Sequence, residues 1–372
     1  MSFGNELLEE CTLPASRYSP FSGGELSNSP PFFKEGWPKA GVVNWLIKLT
    51  FEAMAEISSD IAKAAEILRK NELVAIPTET VYGLGGNALN RDAVIRIFEA
   101  KDRPFFDPLI VHVASKEAAI ELVTEVPEAA EKLMDAFWPG PLTLVLPKRD
   151  MIPDLVTSGL PTVALRVPNQ SLTLELLRTL DFPLAAPSAN PFGYVSPTSA
   201  QHVNDQLGEK IPFILDGGET TVGVESTIVG FENDQPVVYR LGGLSVEEIE
   251  VIVGRVEVKV NASSDPKAPG MLKSHYAPKH KLYLGDLKSL YAQFEGKRIG
   301  ILSFAGSGLD AKYEAVLSPE GNLNEAAKNL FRHLRSFDAQ EIDVIIAELV
   351  PDKGLGRAIN DRLRRAATSN VG

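Results

Sequence analysis

Leu73-Val74-Ala75-Ile76-Pro77-Thr78-Glu79-Thr80-Val81-Tyr82-Gly83-Leu84-Gly85 begins with four apolar residues and passes through a proline into a run of hydroxyls and glycines. The short, unalternating apolar start reads as a buried strand, which delivers residues 77–86 to a surface edge. Working outward, further strand-like runs stand at 109–113, 142–146, 163–167 and 226–229, with Thr, Arg, Ser or Gly in or beside each. A site assembled from several strand ends is the plan of an α/β enzyme, which is the fold class expected here.

Lys101-Asp102-Arg103-Pro104 carries the sharpest chemical signal. Two cations flanking one residue are commonly solvated charges at a helix end. Here Pro104 stops the preceding helix, read over 91–100, and Pro108 opens a buried strand containing His112. That placement suits a phosphate clamp, with Arg as planar fork and Lys as point charge. Arg166 lies inside the apolar run at 163–167, where an unpaired guanidinium is costly. It serves either a substrate carboxylate or a structural pair with a buried Asp or Glu; both readings stand. Pro187-Ser188-Ala189-Asn190 and Ser196-Pro197-Thr198 offer hydroxyls and turn amides, and Arg240 repeats the cation at a strand end. His112 alone is as readily a core histidine as a ligand.

Composition bounds these readings. The 372 residues are 44% hydrophobic, enough for two cores. A formal net charge of -12 gives no broad positive field, so an anion site has to be local. One cysteine, Cys11, excludes an internal disulfide and a multi-cysteine zinc site, and with a reducing compartment the cytoplasm is expected. The best apolar run, 41–51, is interrupted by Asn44 and Lys48, short of the roughly 18 to 20 residues a membrane span needs. The start lacks the basic, apolar and small-residue succession of a secretory leader. No P-loop or nucleophile elbow occurs, and Gly306-Ser307-Gly308 after a strand reads as a glycine turn rather than a dinucleotide fingerprint.

Residues 1–53, rich in Ser, Pro and Gly, are expected to be a poorly ordered extension, with Met54 a candidate start. Residues 54–260 are expected to form the larger α/β domain, the one that carries the candidate site. It opens with a helix on Ile61, Ala64, Ala65 and Leu68, capped by Ser58 or Ser59. One or two helices are expected over 114–138, broken by Trp138-Pro139-Gly140-Pro141. Residues 261–280, with three prolines, are the linker. Residues 281–372 read as a smaller α/β domain with strands at 281–284, 299–304 and 344–349 and an amphipathic helix on Leu323, Ala326, Ala327, Leu330, Phe331 and Leu334.

Taken in order, the blocks at 77–85, 101–113, 138–146, 163–168, 186–196, 223–229 and 239–242 resemble the threonylcarbamoyl-AMP synthase family, the YrdC-like enzymes, in its long two-domain form. Ser274-His275-Tyr276-Ala277-Pro278 and Gly354-Leu355-Gly356-Arg357-Ala358-Ile359-Asn360-Asp361-Arg362-Leu363 look like that family's linker and second domain. The resemblance implies a YrdC-like three-layer domain with a twisted mixed sheet, plus a smaller Rossmann-like C-terminal domain. It implies a nucleotidyltransferase that joins L-threonine, bicarbonate and ATP, with Mg²⁺ on the phosphates, into threonylcarbamoyl-adenylate and pyrophosphate. A downstream transferase would pass the product to tRNA.

Carried over by position, Lys101 and Arg103 are the catalytic pair. The ATP side also takes Asp107, Thr162, Ser188, Ser196, Arg240 and Tyr276. Thr80, His112, Arg166, Ala186 and Ser226 line the L-threonine side, Ala186 through its backbone. The family often has Asn where this chain has Asp107, which puts a negative charge near the nucleotide, on a ribose hydroxyl or Mg²⁺. The linker with Tyr276 is the candidate lid over water-labile intermediates. Two alternatives are a related carbamoyl-transfer module, usually accompanied by cysteine-rich zinc segments, and a non-catalytic RNA-binding protein. For the latter, Arg357, Arg362, Arg364 and Arg365 form a basic end, read here as a solvated terminal helix; direct tRNA binding is left open.

Overall fold

The opening stretch becomes a pair of interior strands in a large mixed sheet. The computed structural model describes residues 54–260 and 276–368, all within one compact unit. The extension with Cys11 and residues 261–275 of the linker, including Ser274 and His275, lie outside the described residues.

Among the described residues the first sheet contains β1 (Glu56–Ser58), β2 (Val74–Ile76), β3 (Gly83–Asn87), β4 (Ile110–His112), β5 (Leu142–Pro147), β6 (Thr162–Arg166), β7 (Leu184–Ala185), β8 (Phe213–Leu215), β9 (Thr227–Glu232), β10 (Gln235–Arg240) and β11 (Glu257–Val258). Their order is β1-β8-β2-β3-β7-β4-β6-β5-β9-β10-β11, with parallel and antiparallel neighbours mixed. Val74 and Ile76 point into one core, with the helices Ile61–Arg69 and Ser171–Thr179; Ala75 points into another, with Arg91–Lys101 and Glu128–Phe137. Period-two alternation thus buries both sheet faces and makes three layers.

Two local expectations are corrected. Residues 77–86 are not at a surface edge: β3 pairs antiparallel with β2, Gly85 opposite Val74, and Thr78, Thr80 and Tyr82 are buried. Glycine is a poor strand former, yet the space here favours it, since a Cβ at 85 would lie 3.1 Å from the Val74 carbonyl oxygen and one at 86 would lie 3.0 Å from Leu73 Cδ2, so that a neighbour would have to give way. The helix Ile61–Arg69 is capped by Asp60, whose carboxylate accepts from Lys63 N, not by Ser58 or Ser59. The tract after Glu128–Phe137 does turn the chain, and Trp138 Nε1 ties the turn to the Leu142 carbonyl at 2.8 Å.

The second sheet, β12 (Leu282–Leu284), β13 (Ile299–Ser303), β14 (Tyr313–Val316) and β15 (Val344–Ala347), is wholly parallel in the order β12-β15-β13-β14. Strand β14, not helix, follows Gly306 and Gly308, which take φ of +109° and +66°, so these are turn glycines. The helix Leu323–Ser336 buries its whole predicted stripe apart from Leu323 at its first residue. That stripe also packs on Val81, Val195 and Val224 of the first domain. Arg335 reaches across to donate to the Ser196 carbonyl at 3.2 Å and to Gln206 Oε1 at 2.9 Å, against the Tyr194 ring. No helix among the described residues is long and apolar enough to cross a membrane.

Candidate active site

Strand ends and the loops between them converge on one cavity. Thr78 and Thr80 come from the β2–β3 loop, their hydroxyls 2.8 Å apart; His112 and Arg166 come from the neighbouring ends of β4 and β6, directly paired in register. Ala186 and Ser188 follow β7, Ser226 precedes β9, and Arg240 ends β10. Tyr276 closes the wall from the linker side. Its ring is buried, 5.3 Å from Phe331 in a stacked arrangement, and its backbone has φ of +69°.

Cations in such a place need partners, and each arginine has one. Arg103 Nη2 lies 2.8 Å from Asp107 Oδ2 and donates to the Pro108 carbonyl at 2.9 Å, while its Nε donates to the Asp107 carbonyl at 3.2 Å. Burial pulls the Arg103 guanidinium down, and Asp107 opposes that. Arg166 Nη2 lies 2.8 Å from Glu79 Oε1, and its Nε donates to the Gly140 carbonyl at 3.3 Å. Arg240 donates to the Ser226 carbonyl at 2.9 and 3.1 Å and to Ser226 Oγ at 3.0 Å; burial brings it down to about 10. Of the two readings of Arg166, the structure contains the carboxylate pair. Arg166 itself lines the cavity, so the pairing orients the guanidinium rather than removing it from the site.

Glu225 is the fourth charge. Burial alone would raise its carboxyl; Arg362, then Arg240 and the hydrogen bond from Ser196 Oγ at 2.6 Å, bring it down to about 2. His112 is opposite in kind. Burial, then the Arg166 charge, lowers its imidazole to about 3, so it is neutral, and its Nδ1 has no hydrogen-bond partner among the described residues.

The cavity therefore brings together Thr80, Arg103, His112, Arg166, Ala186, Ser188, Ser226, Arg240 and Tyr276. It does not include the others. Lys101 ends the helix Arg91–Lys101 and turns its ammonium to the carbonyls of Ser188 and Asn190, while its own carbonyl accepts from Phe192 N at 2.8 Å. Burial, then Arg103, pushes that ammonium well below its ordinary range, with Asp107 opposing the shift. Lys101 thus staples the 188–192 loop behind the cavity. Asp107 pairs with Arg103 through Oδ2, and Ser196 donates to Glu225. Thr162 starts β6, about 13 Å of strand from Arg166 at its other end.

Glu79, Glu225 and Arg362 escaped the sequence reading. Arg362 had a signal: three residues after Ile359 and four before Ala366, it falls on the buried stripe of the helix Gly356–Ala366. The solvated terminal helix expected there is corrected, since Arg362 is fully buried against Glu225 and Asp361, and Arg365 pairs with Asp361 at 2.9 Å.

A mixed α/β sheet with three paired arginines, a neutral imidazole and several hydroxyls in one cavity defines a protein that binds small polyanionic or zwitterionic ligands. Residues 66–242 match the family described as Telomere recombination, and residues 244–368 match Threonylcarbamoyl-AMP synthase, C-terminal domain. The Pyrococcus abyssi threonylcarbamoyl-AMP synthase is 46% identical over 321 residues, 82% of this chain and 93% of the relative; that of Bacillus subtilis is 44% identical, covering 88% and 98%. The crystal structure of P. abyssi Sua5 complexed with L-threonine superposes with a TM-score of 0.79 at 45% identity, over 84% of this chain and 97% of that one. The chain belongs to the threonylcarbamoyl-AMP synthase family.

Proposed function

We propose that this protein is an L-threonylcarbamoyladenylate synthase, a nucleotidyltransferase that makes threonylcarbamoyl-AMP and pyrophosphate from L-threonine, bicarbonate and ATP in the cytoplasm. The observation that carries this reading is the convergence of Arg103, Arg166, Arg240 and neutral His112 on one cavity in a chain of this family. The amine of threonine and bicarbonate lose water to give an N-carboxylate. One of its oxygens attacks the α-phosphorus, the bond to the bridging oxygen breaks, and pyrophosphate leaves with the electron pair. Positioning and charge neutralisation are what such a step asks of a protein.

Arg166, oriented by Glu79, takes the threonine carboxylate. His112, too weak a base at a pKa of about 3 to hold a proton, accepts a hydrogen bond from the amine or hydroxyl. Thr80, Ser226 and the Ala186 backbone complete that side. Arg103, Arg240 and Ser188 take the nucleotide phosphates, Lys101 acts by holding the Ser188 loop, and Tyr276 covers the cavity. Magnesium suits the nucleotide rather than a protein cage: the carboxylates of Glu79, Asp107 and Glu225 each pair with an arginine, and no metal-sized group of carboxylates, histidines or cysteines occurs among the described residues. The product would pass to a transferase acting on tRNA.

The first test is pyrophosphate release from Mg²⁺-ATP by the purified full chain. Release is expected only with L-threonine and bicarbonate together, with the adenylate identified by mass. Release independent of threonine, or none from folded protein that binds ATP, would overturn the reading.

A further inference from the structure

Arg362 belongs to the second domain and takes no part in the reaction above, yet it supports two walls of the cavity. Its Nε donates to Glu225 Oε2 at 3.1 Å, its Nη2 lies 3.1 Å from the same oxygen, and its Nη1 donates to Asp361 at 2.8 Å. Its guanidinium carbon sits 5.3 Å from the centre of the Tyr276 ring, a cation–π distance. The side chain is fully buried, and both Glu225 and Tyr276 line the cavity.

Glu225 is an anion in the wall of a site that must accept a triphosphate. Its charge has two arginines near it, Arg362 behind and Arg240 in the cavity, and Ser196 Oγ fixes its other oxygen at 2.6 Å. We propose that Arg362 is a positioning residue for the nucleotide: by neutralising Glu225 and holding it from behind, it leaves the Arg240 charge to the ATP phosphates. Without it the nearest remaining cation for Glu225 is Arg240, and carboxylate and triphosphate compete for one guanidinium. The second domain then contributes to substrate affinity, beyond its packing role. The inference rests on the ATP-dependent reading above.

The experiment compares the full chain with Arg362→Met, Arg362→Lys, Glu225→Gln and the double variant Arg362→Met/Glu225→Gln, measuring ATP and L-threonine dissociation constants by calorimetry and pyrophosphate-release kinetics. Arg362→Met should weaken ATP about tenfold, the loss of one charge contact, and threonine less than about twofold. Removing the competing carboxylate should restore ATP binding in the double variant to within about threefold of Glu225→Gln. Arg362→Lys, which keeps the charge without the fork, should fall between. If Arg362→Met does not fold, Arg362→Lys with and without Glu225→Gln makes the same comparison. Unchanged ATP affinity in the single variant, or no recovery in the double, would overturn the inference and leave Arg362 as a tie between domains. Wild-type protein that binds no ATP would instead overturn the functional reading, and this inference with it.

Discussion

His112 illustrates how far one residue's behaviour depends on its surroundings. In an unfolded chain its imidazole protonates near pH 6.5; in the fold, burial and Arg166 hold it neutral down to about 3. Between those values the unfolded state binds a proton that the native state refuses, so stability is complete above pH 6.5 and falls as pH drops toward 3, by up to about 1.4 kcal/mol per pH unit. Substituting His112→Asn should remove that contribution, giving a shallower loss of urea midpoint between pH 6.5 and 4.5; an unchanged slope would mean that the imidazole titrates normally. His202, lowered to about 4, supplies a second contribution of the same sign in both proteins. Of the site residues, Arg166 was legible as a cation inside an apolar run, Arg103 as a cation paired with Lys101 ahead of Pro104 and a buried strand, and Arg240 as a cation at a strand end. Their counterions were less so: Glu79 and Glu225 stand in short polar stretches, where a carboxylate is ordinary until folding buries it.

At the scale of elements, the loops decide most. The turn at 217–223 contains two glycines with left-handed backbone and different neighbours. Gly218, at φ +77°, would meet nothing within 4 Å, so Gly218→Ala should cost only the backbone strain, about 1–2 kcal/mol. Gly223, at φ +81°, would place a Cβ 2.4 Å from Lys328 Cα in the second domain's helix Leu323–Ser336. Gly223→Ala therefore adds overpacking of about 1–3 kcal/mol to the same strain. Equal urea midpoints for the two variants would show that the domains do not approach this closely. The same closeness bears on β3: three glycines in five residues read as loop by propensity, while neighbouring strands and Ile97 would crowd a Cβ at these positions. Buried runs such as β2, β5 and β6 needed no such context and were legible within a residue or two.

For the whole molecule, the interface between the two sheets is part of the core. Tyr276 and the helix Leu323–Ser336 cover Val81, Val195 and Val224, which residues 54–260 alone would leave bare, and Glu225 would lose Arg362. A fragment of residues 54–260 should accordingly self-associate in gel filtration and unfold at lower urea than the full chain. A monomer of unchanged stability would mean that the second domain is only attached.

The sequence by itself determined the α/β class, the two domains, the strands carrying the arginines and the family, because apolar period, turn chemistry and ordered motifs are local properties of the chain. Only the tertiary structure decided which charges meet: Arg166 with Glu79, Arg103 with Asp107, Lys101 with the 188–192 loop, and Arg362 with Glu225 across 137 positions. Pairing at such separations is a matter of which strand and helix ends the packed layers bring together, and no local pattern records it.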